Sequence, residues 1–336
     1  MRGKGINYDT GFQPGDRLSR SDFDPAQVRE ELRVIAEELH CTAVRISGAH
    51  PERIELAAEF AAEHGLEVWF APFPCNLDET ELLPYFADCA RRAERIRARG
   101  AEVVLVLGCE LSLFAAGFLP GDDFEARLAA LTSPDPVVRA GFRDVGARLN
   151  AFLARAAAVA REQFDGRIGY ASGTWEHIDW TPFDLVGVDA YRDAQNADRY
   201  REELRAQFRH GKPVAVTEFG CCAYRGAADR GGLGWAVTDG SGPEPVIAED
   251  LVRDEQEQVR YLSELLAVFE ELGVDSAFWF TFAHYDAEHR AEPRRDLDLA
   301  SYGVVAMLPP GDPAARPGLG WRPKEAFAAL AGAYQN

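Results

Sequence analysis

Short apolar runs alternate along the chain with longer amphipathic stretches. The short runs are typical of buried parallel strands, and the amphipathic stretches are typical of helices. Several predicted helices carry ordinary start and stop signals, such as Asp24 before Pro25 at one start and Gly273 at one end. The predicted strands are residues 4–8, 42–46, 67–72, 103–110, 167–171, 185–189, 213–218 and 276–281.

This alternation predicts the architecture of the whole chain. Eight strands, each followed by a helix, favour an α/β protein with a single (β/α)8 TIM barrel over residues 1–336. No linker-like segment divides the chain. The first strand is followed by GFQPGD and lacks the GxGxxG of a dinucleotide-binding doubly wound sheet. Long loops are predicted after the fourth, seventh and eighth strands, at 111–136, 225–245 and 283–323.

Two of the predicted strands end in a glutamate. VVLVLGCEL delivers Glu110 and PVAVTEFGCC delivers Glu218, and 108 positions separate the two acids. That spacing corresponds to three strand–helix units of about 36 residues each. Alternation along the strands places Glu110 on the face of Val106, and Glu218 on the face of Val216. Two facing carboxyl groups provide a proton donor and a nucleophile, as glycosidic bond cleavage requires.

Further polar and aromatic side chains fall at the carboxyl ends of the predicted strands, where barrel enzymes carry their active sites. We expect these residues to contact substrate, and we expect Trp235, in the glycine-rich lid at 225–245, to do the same. A structural role is the alternative for each: Arg45 as a buried counter-ion, and the tryptophans and thiols as core. The strand-end candidates are Arg45, Asn76, Cys109, Trp175, His177, Asp189, Tyr191, Trp279 and His284.

Taken together, these strand-end residues resemble those of the clan A glycoside hydrolases. The resemblance implies that Glu110 is the acid/base and Glu218 the nucleophile, that Arg45 and Tyr191 hold the nucleophile, and that Trp279 floors the sugar site. The chain departs from the clan at Cys109, where asparagine is usual. The segments KGINYDTGF, CTAVRISG and GCELSLFAAGF also resemble actinobacterial chains labelled "abortive infection protein", a label that implies phage defence.

Composition limits the classes of partner that the chain is expected to bind. A formal charge of −19 argues against binding to nucleic acid or to an anionic membrane surface. No apolar run is long enough to span a bilayer and no leader is recognised, so we expect a cytoplasmic protein with its six cysteines as thiols. No HxH or HExxH spacing occurs, and we expect neither a metal nor a cofactor. The oligomeric state is not predicted.

These observations favour a retaining glycosidase or transglycosidase that acts on a small soluble glycoside. Its two carboxyl groups are expected to lie about 5–5.5 Å apart. Glu110 is expected to keep its proton, and Arg45 to keep Glu218 ionised. One alternative is a clan A-like barrel recruited to a non-hydrolytic biosynthetic reaction, which Cys109 favours. Another is a non-catalytic barrel that binds a carbohydrate or a partner in phage defence.

Overall fold

A computed structural model describes residues 1–15, 17–242 and 244–335. Eight parallel strands form one sheet, in which neighbouring strands pair in the order β5-β4-β3-β2-β1-β8-β7-β6. A bridge between Ser172, just beyond β5, and Val188 of β6 joins the two edges. The predicted (β/α)8 barrel is therefore confirmed. Its strands are β1 Gly3–Asp9, β2 Ala43–Gly48, β3 Glu67–Pro72, β4 Val103–Cys109, β5 Arg167–Ala171, β6 Val186–Asp189, β7 Val214–Phe219 and β8 Ser276–Trp279.

Helices cover the outside of the barrel, and local signals set several of their ends. Asp24 accepts a hydrogen bond from the Ala26 amide at the start of α1, and Asp78 with Glu81 forms a capping box at the start of α3. No helix within the described residues is long and apolar enough to cross a membrane. The helices are α1 Pro25–Glu37, α2 Pro51–Glu63, α3 Glu79–Arg97, α4 Leu111–Phe114, α5 Phe124–Thr132, α6 Pro136–Ala140, α7 Val145–Arg161, α8 Tyr200–Gln207, α9 Glu255–Leu272 and α10 Glu325–Tyr334.

The expectation that every strand is followed by a helix is wrong for β5. The described residues 172–185 cross from β5 to β6 without a helix. Trp180 and Phe183 of this crossing are buried, and their rings pack near Tyr170 with centroids 6.5 and 6.2 Å away. These aromatic side chains cover the part of the sheet that a helix would otherwise cover. A turn at 141–144 separates α6 from α7.

The barrel encloses one apolar cluster, and a second, larger cluster lies between the barrel and its helices. Trp69 and Phe278 pack in the interior with ring centroids 4.6 Å apart. The interior cluster also includes Val104, Val106 and Cys109. Long loops follow β4, β7 and β8, as predicted, and they surround the carboxyl end of the barrel. Apolar side chains thus fill the interior of the barrel, and the polar side chains of the candidate site lie at its carboxyl end.

Candidate active site

Glu218 is the centre of the site, and its carboxylate is held by both oxygens. Arg45 Nη1 donates to Oε1 at 2.7 Å, and the Tyr191 hydroxyl donates to Oε2 at 2.9 Å. Asn7 orients the guanidinium, because its Oδ1 accepts from Arg45 at 2.6 Å while its Nδ2 donates to the Thr217 carbonyl at 3.0 Å. Charge-assisted bonds of this kind stabilise the ionised form of a carboxyl group.

Glu218 reaches the barrel mouth by a different route from the one that alternation predicts. Val216 belongs to the outer cluster, so strict alternation would point Glu218 outward with it. The pairing of β6 with β7 instead shifts register between Val188 and Asp189, which is paired with Glu218. This irregularity lets both Thr217 and Glu218 face the interior.

Glu110 follows a second irregularity, at the end of β4. The pairing with β5 shifts register between Val106 and Cys109, and Gly108 has a φ of 87°. Glu110 itself has a φ of 45°, in the left-handed region, and α4 begins at the next residue. Because of this shift, Cys109 faces the barrel interior at the point where alternation would place Gly108. Glu110 follows in a sharp bend at the mouth of the barrel.

The surroundings of Glu110 favour its protonated form. Part of its surface is open, yet protein encloses the carboxyl group, and this burial raises its pKa well above the usual 4.5. The nearby charges of Asp189, Glu218 and Glu176 raise the pKa further, and Arg45 opposes them. A single guanidinium faces several carboxyl groups, so one or more of them holds a proton.

Cys109 and Asp189 form a buried pair beside Glu218. Cys109 Sγ donates to Asp189 Oδ2 at 3.3 Å and lies 3.6 Å from Glu218 Oε1. The Thr217 hydroxyl donates to Asp189 Oδ1 at 2.7 Å. Burial raises the pKa of the Cys109 thiol and of the Asp189 carboxyl group, and Glu218 adds to the shift at both. Both groups therefore lose their protons less readily than a free thiol or carboxyl group does.

The same three residues have the composition of a metal site. One ligand atom each from Cys109, Asp189 and Glu218 lies within 4.8 Å of the others. Arg45, however, already binds Glu218 Oε1 and places a positive charge at that position. A cation would meet this guanidinium at close range and a thiol held in its protonated form, so the donor set fits a metal poorly. The expected absence of a metal remains a prediction.

Trp279 does not floor the site, contrary to the sequence-based expectation. Its side chain is fully buried in the outer cluster, where its ring lies 5.4 Å from Phe219 and 6.5 Å from Tyr261. Its indole donates to the Tyr302 carbonyl at 3.0 Å. Phe278 faces the barrel interior, so Trp279, the next residue, faces the helices.

Phe280 and Tyr302 supply the aromatic surface near Glu218. The rings of Phe280 and Tyr302 both pack around Tyr191, with centroids 6.5 and 5.9 Å away. His284 adjoins them, 5.7 Å from Phe280, and burial together with Lys324 lowers its pKa to about 4, so its ring is neutral at ordinary pH. Sequence reasoning included His284 and missed Phe280 and Tyr302, although Phe280 lies directly after the tryptophan it selected.

The glycine-rich lid is attached to this aromatic group. The Gly234 amide donates to the Tyr302 hydroxyl at 2.9 Å, and that hydroxyl donates to the Gly231 carbonyl at 2.7 Å. Trp235 follows with 37% of its surface exposed. The structure therefore brings Trp235 to the side of the mouth that Tyr191 occupies. Residue 243 of the predicted lid lies outside the described residues.

Three other candidates are placed around the mouth in supporting positions. The Trp175 indole donates to Ser112 Oγ at 3.0 Å, beside the bend that carries Glu110. Asn76 accepts a hydrogen bond from Arg127 and donates to the Pro14 carbonyl at 3.0 Å, so its side chain ties loops together. His177 is exposed. In the described part of the chain neither Asn76 nor His177 hydrogen-bonds to Glu110 or Glu218.

Comparison with known proteins identifies the fold. No family model and no curated protein matches the chain. A GH113 β-1,4-mannanase superposes with a TM-score of 0.64 at 15% identity, covering 100% of both chains. The fold is that of the glycoside hydrolase barrels. The GH113 β-mannanase AaManA from Alicyclobacillus acidocaldarius gives a TM-score of 0.61 at 17% identity, covering 99% of this chain and 97% of that one. A family 1 β-glucosidase from Thermotoga maritima gives 0.55 at 12%, covering 98% and 97%.

These likenesses establish the fold and leave the reaction to be argued from the site. The structural neighbours named above are glycoside hydrolases, so the resemblance expected from the strand-end residues is supported at the level of the barrel fold. None of the comparisons supports the resemblance to chains labelled "abortive infection protein".

Proposed function

We propose that this chain is a retaining glycoside hydrolase or transglycosidase that acts on a small soluble glycoside, with Glu218 as nucleophile and Glu110 as acid/base. One observation carries the proposal: Glu218 is bound on both oxygens by Arg45 and Tyr191, while Glu110 lies close by in surroundings that raise its pKa. The two carboxyl groups thus lie in different surroundings, as their two roles require.

The mechanism follows from these roles. Glu218 attacks the anomeric carbon and forms an ester as the glycosidic bond breaks, and Glu110 gives its proton to the departing oxygen. Glu110, now ionised, then takes a proton from water or from an acceptor hydroxyl, whose oxygen displaces Glu218 from the sugar. Arg45 and Tyr191 stabilise the carboxylate as it leaves. Burial raises the pKa of the Tyr191 phenol, so it remains a proton donor to Glu218 throughout.

A recruited biosynthetic function is the second candidate, and Cys109 favours it. The thiol stands where the clan resemblance leads one to expect an asparagine amide, and a thiol is a weaker hydrogen-bond donor. It contacts Asp189 and Glu218 instead of leaving a donor free for a sugar hydroxyl. A non-catalytic barrel that binds a carbohydrate or partner in phage defence is the third candidate, and the presence of both Glu110 and Glu218 at the mouth argues against it.

Covalent labelling tests the proposal. A panel of 2-deoxy-2-fluoro glycosides with activated leaving groups, including manno and gluco sugars, is incubated with the protein, and the intact mass is measured. We expect a stable adduct on the peptide that contains Glu218, and no adduct with Glu218→Gln. Labelling at another residue contradicts the assignment of the nucleophile. Binding of free sugars without labelling or turnover across the panel favours the non-catalytic barrel. The cytoplasmic location and the absence of a cofactor remain predictions.

A further inference from the structure

We propose that Glu176, acting with Tyr170, is a positioning residue for Glu110. The inference rests on the proposed acid/base role of Glu110 and adds a residue to that site. Neither residue touches the reacting atoms in this assignment. Both bind the bend between β4 and α4, which carries Glu110.

The carboxylate of Glu176 binds the start of α4. Its Oε1 accepts from the Ser112 amide at 2.9 Å, and its Oε2 accepts from the Tyr170 hydroxyl at 2.8 Å and the Gly173 amide at 3.3 Å. The Tyr170 hydroxyl in turn accepts from the Leu111 amide at 2.8 Å. The two amides that follow Glu110 are therefore both bound by this pair of side chains. In a helix of only four residues, these amides have no partner within the helix.

The bend needs such support because its backbone is unusual. Glu110 has a φ of 45°, a value that glutamate rarely adopts, and its own amide donates to the Ala171 carbonyl at 2.9 Å. Backbone in this region persists only where the surroundings fix it. Bonds to the amides of residues 110, 111 and 112 therefore fix the direction in which the Glu110 side chain leaves the barrel.

The segment after β5 is in turn fixed to the same bend. The Trp175 indole donates to Ser112 Oγ at 3.0 Å. A Cβ at Gly173 would lie 2.6 Å from the Trp175 ring, so only glycine allows this close approach. The crossing from β5 to β6, which has no helix, thus carries a compact group, Gly173 to Glu176. This group packs against the bend that carries Glu110.

Glu176 also affects the charge balance around Glu110. Every described partner of Glu176 is a donor, which suits the ionised carboxylate, although burial raises its pKa. An ionised Glu176 favours the protonated form of Glu110, as Asp189 and Glu218 also do, and Arg45 opposes all three. Two consequences follow: Glu176 fixes the direction of Glu110 and helps it to keep its proton.

Two variants distinguish the effect of Glu176 on the direction of the Glu110 side chain from its effect on the Glu110 proton. Glu176→Gln removes the charge and turns one of the two acceptors into a donor. Tyr170→Phe removes the hydroxyl that joins Leu111 to Glu176 and keeps the charge. Tyr334→Phe is the matched control, because it also removes a buried tyrosine hydroxyl, one that donates to the Gly5 carbonyl at 3.0 Å at the opposite end of the barrel.

The measurement compares kcat/KM for a dinitrophenyl glycoside, which needs no acid, with that for an alkyl glycoside, which does. We expect both variants to lose about tenfold or more on the alkyl glycoside and little on the dinitrophenyl glycoside, since general acid catalysis contributes about 10²–10⁴. We expect Glu176→Gln alone to move the basic limb of the pH profile to lower pH, by about one unit. The melting temperature of each variant is recorded alongside.

The results that would contradict the positioning role differ from the result that would contradict the proposed function. Equal losses on both substrates in both variants, with unchanged pH profiles, indicate general damage and overturn the positioning role. So does wild-type behaviour of both variants on the alkyl glycoside. If the wild-type protein turns over neither glycoside of any sugar tested, the proposed function itself is overturned, and this inference with it.

Discussion

At the scale of single residues, the site depends on an imbalance of charge. One guanidinium, that of Arg45, faces the carboxyl groups of Glu218, Asp189 and Glu110. It makes a direct bond to Glu218 alone, at 2.7 Å. The carboxyl groups of Glu110 and Asp189 lack this direct bond, and burial raises the pKa of both. The proposed nucleophile and acid/base are distinguished in this way although both are glutamates.

The first prediction follows from these unequal roles. Glu218→Gln should abolish turnover, because no other carboxylate has the support of Arg45 and Tyr191. Glu110→Gln should lose about 10²–10⁴-fold on glycosides with poor leaving groups but retain slow turnover of dinitrophenyl glycosides, with azide increasing the rate. Azide products identified by NMR check the anomeric outcome. Loss of all activity in Glu110→Gln, with no azide rescue, would contradict the assignment.

The second prediction concerns pH. Burial and the neighbouring carboxylates raise the pKa of Glu110 well above 4.5, and the acid/base must be protonated in the first step. Activity on an alkyl glycoside should therefore persist above pH 4.5 and fall as the pH rises through the pKa of Glu110. The fall should be absent in Glu110→Gln acting on an activated glycoside. Glu162→Gln, an exposed change at the end of α7, serves as the control and should keep the wild-type profile.

At the scale of elements, the crossing from β5 to β6 differs from its neighbours. Aromatic side chains replace the helix there, and Trp180 and Phe183 are 5% and 2% exposed. The same crossing carries Trp175 and Glu176, which bind the start of α4. A segment without regular structure can be this well fixed because large rings exclude water and the polar groups find partners.

The third prediction tests that packing. Phe183→Ala should lower the free energy of unfolding by about 3–5 kcal/mol, because it removes a buried ring and leaves a cavity. Urea denaturation followed by circular dichroism measures the change. Val137→Ala, at a position that is 80% exposed on α6, should change stability by less than about 0.5 kcal/mol. A similar small change in Phe183→Ala would show that the crossing is not held by its aromatic core.

At the scale of the whole molecule, the loops after β4, β7 and β8 meet around one end of the barrel. The loop after β7 is bound to Tyr302, which belongs to the loop after β8. Tyr302 also packs against Tyr191, the partner of Glu218. The lid, the aromatic surface and the proposed nucleophile are therefore parts of one contiguous arrangement.

The fourth prediction concerns the lid. Trp235 is the exposed aromatic residue of this loop, so Trp235→Ala should raise KM several-fold while leaving the melting temperature within about two degrees of wild type. Val252→Ala, at another exposed apolar position after the lid, should leave both quantities unchanged. An unchanged KM in Trp235→Ala would exclude a substrate contact by this side chain.

The sequence alone determined the barrel and much of the site. Its alternating apolar runs predict the eight strands, and a polar residue at a strand end is placed at the mouth by the parallel topology itself. Arg45, Tyr191 and Glu218 were identified in this way, and the structure joins them directly by hydrogen bonds. These positions were predictable because each apolar run shows where its strand ends, and strand ends meet at the mouth of a parallel barrel.

Only the tertiary structure decided how the side chains are aimed. Alternation grouped Glu218 with Val216, yet a register shift turns Glu218 inward. The resemblance to the clan A hydrolases implied that Trp279 forms the floor of the sugar site, yet its ring is buried outside the barrel. The support of Glu110 by Glu176 joins residues 66 positions apart on different strand ends. Bulges and contacts of this kind arise from pairing and packing between distant segments, and no periodic pattern within one segment encodes them.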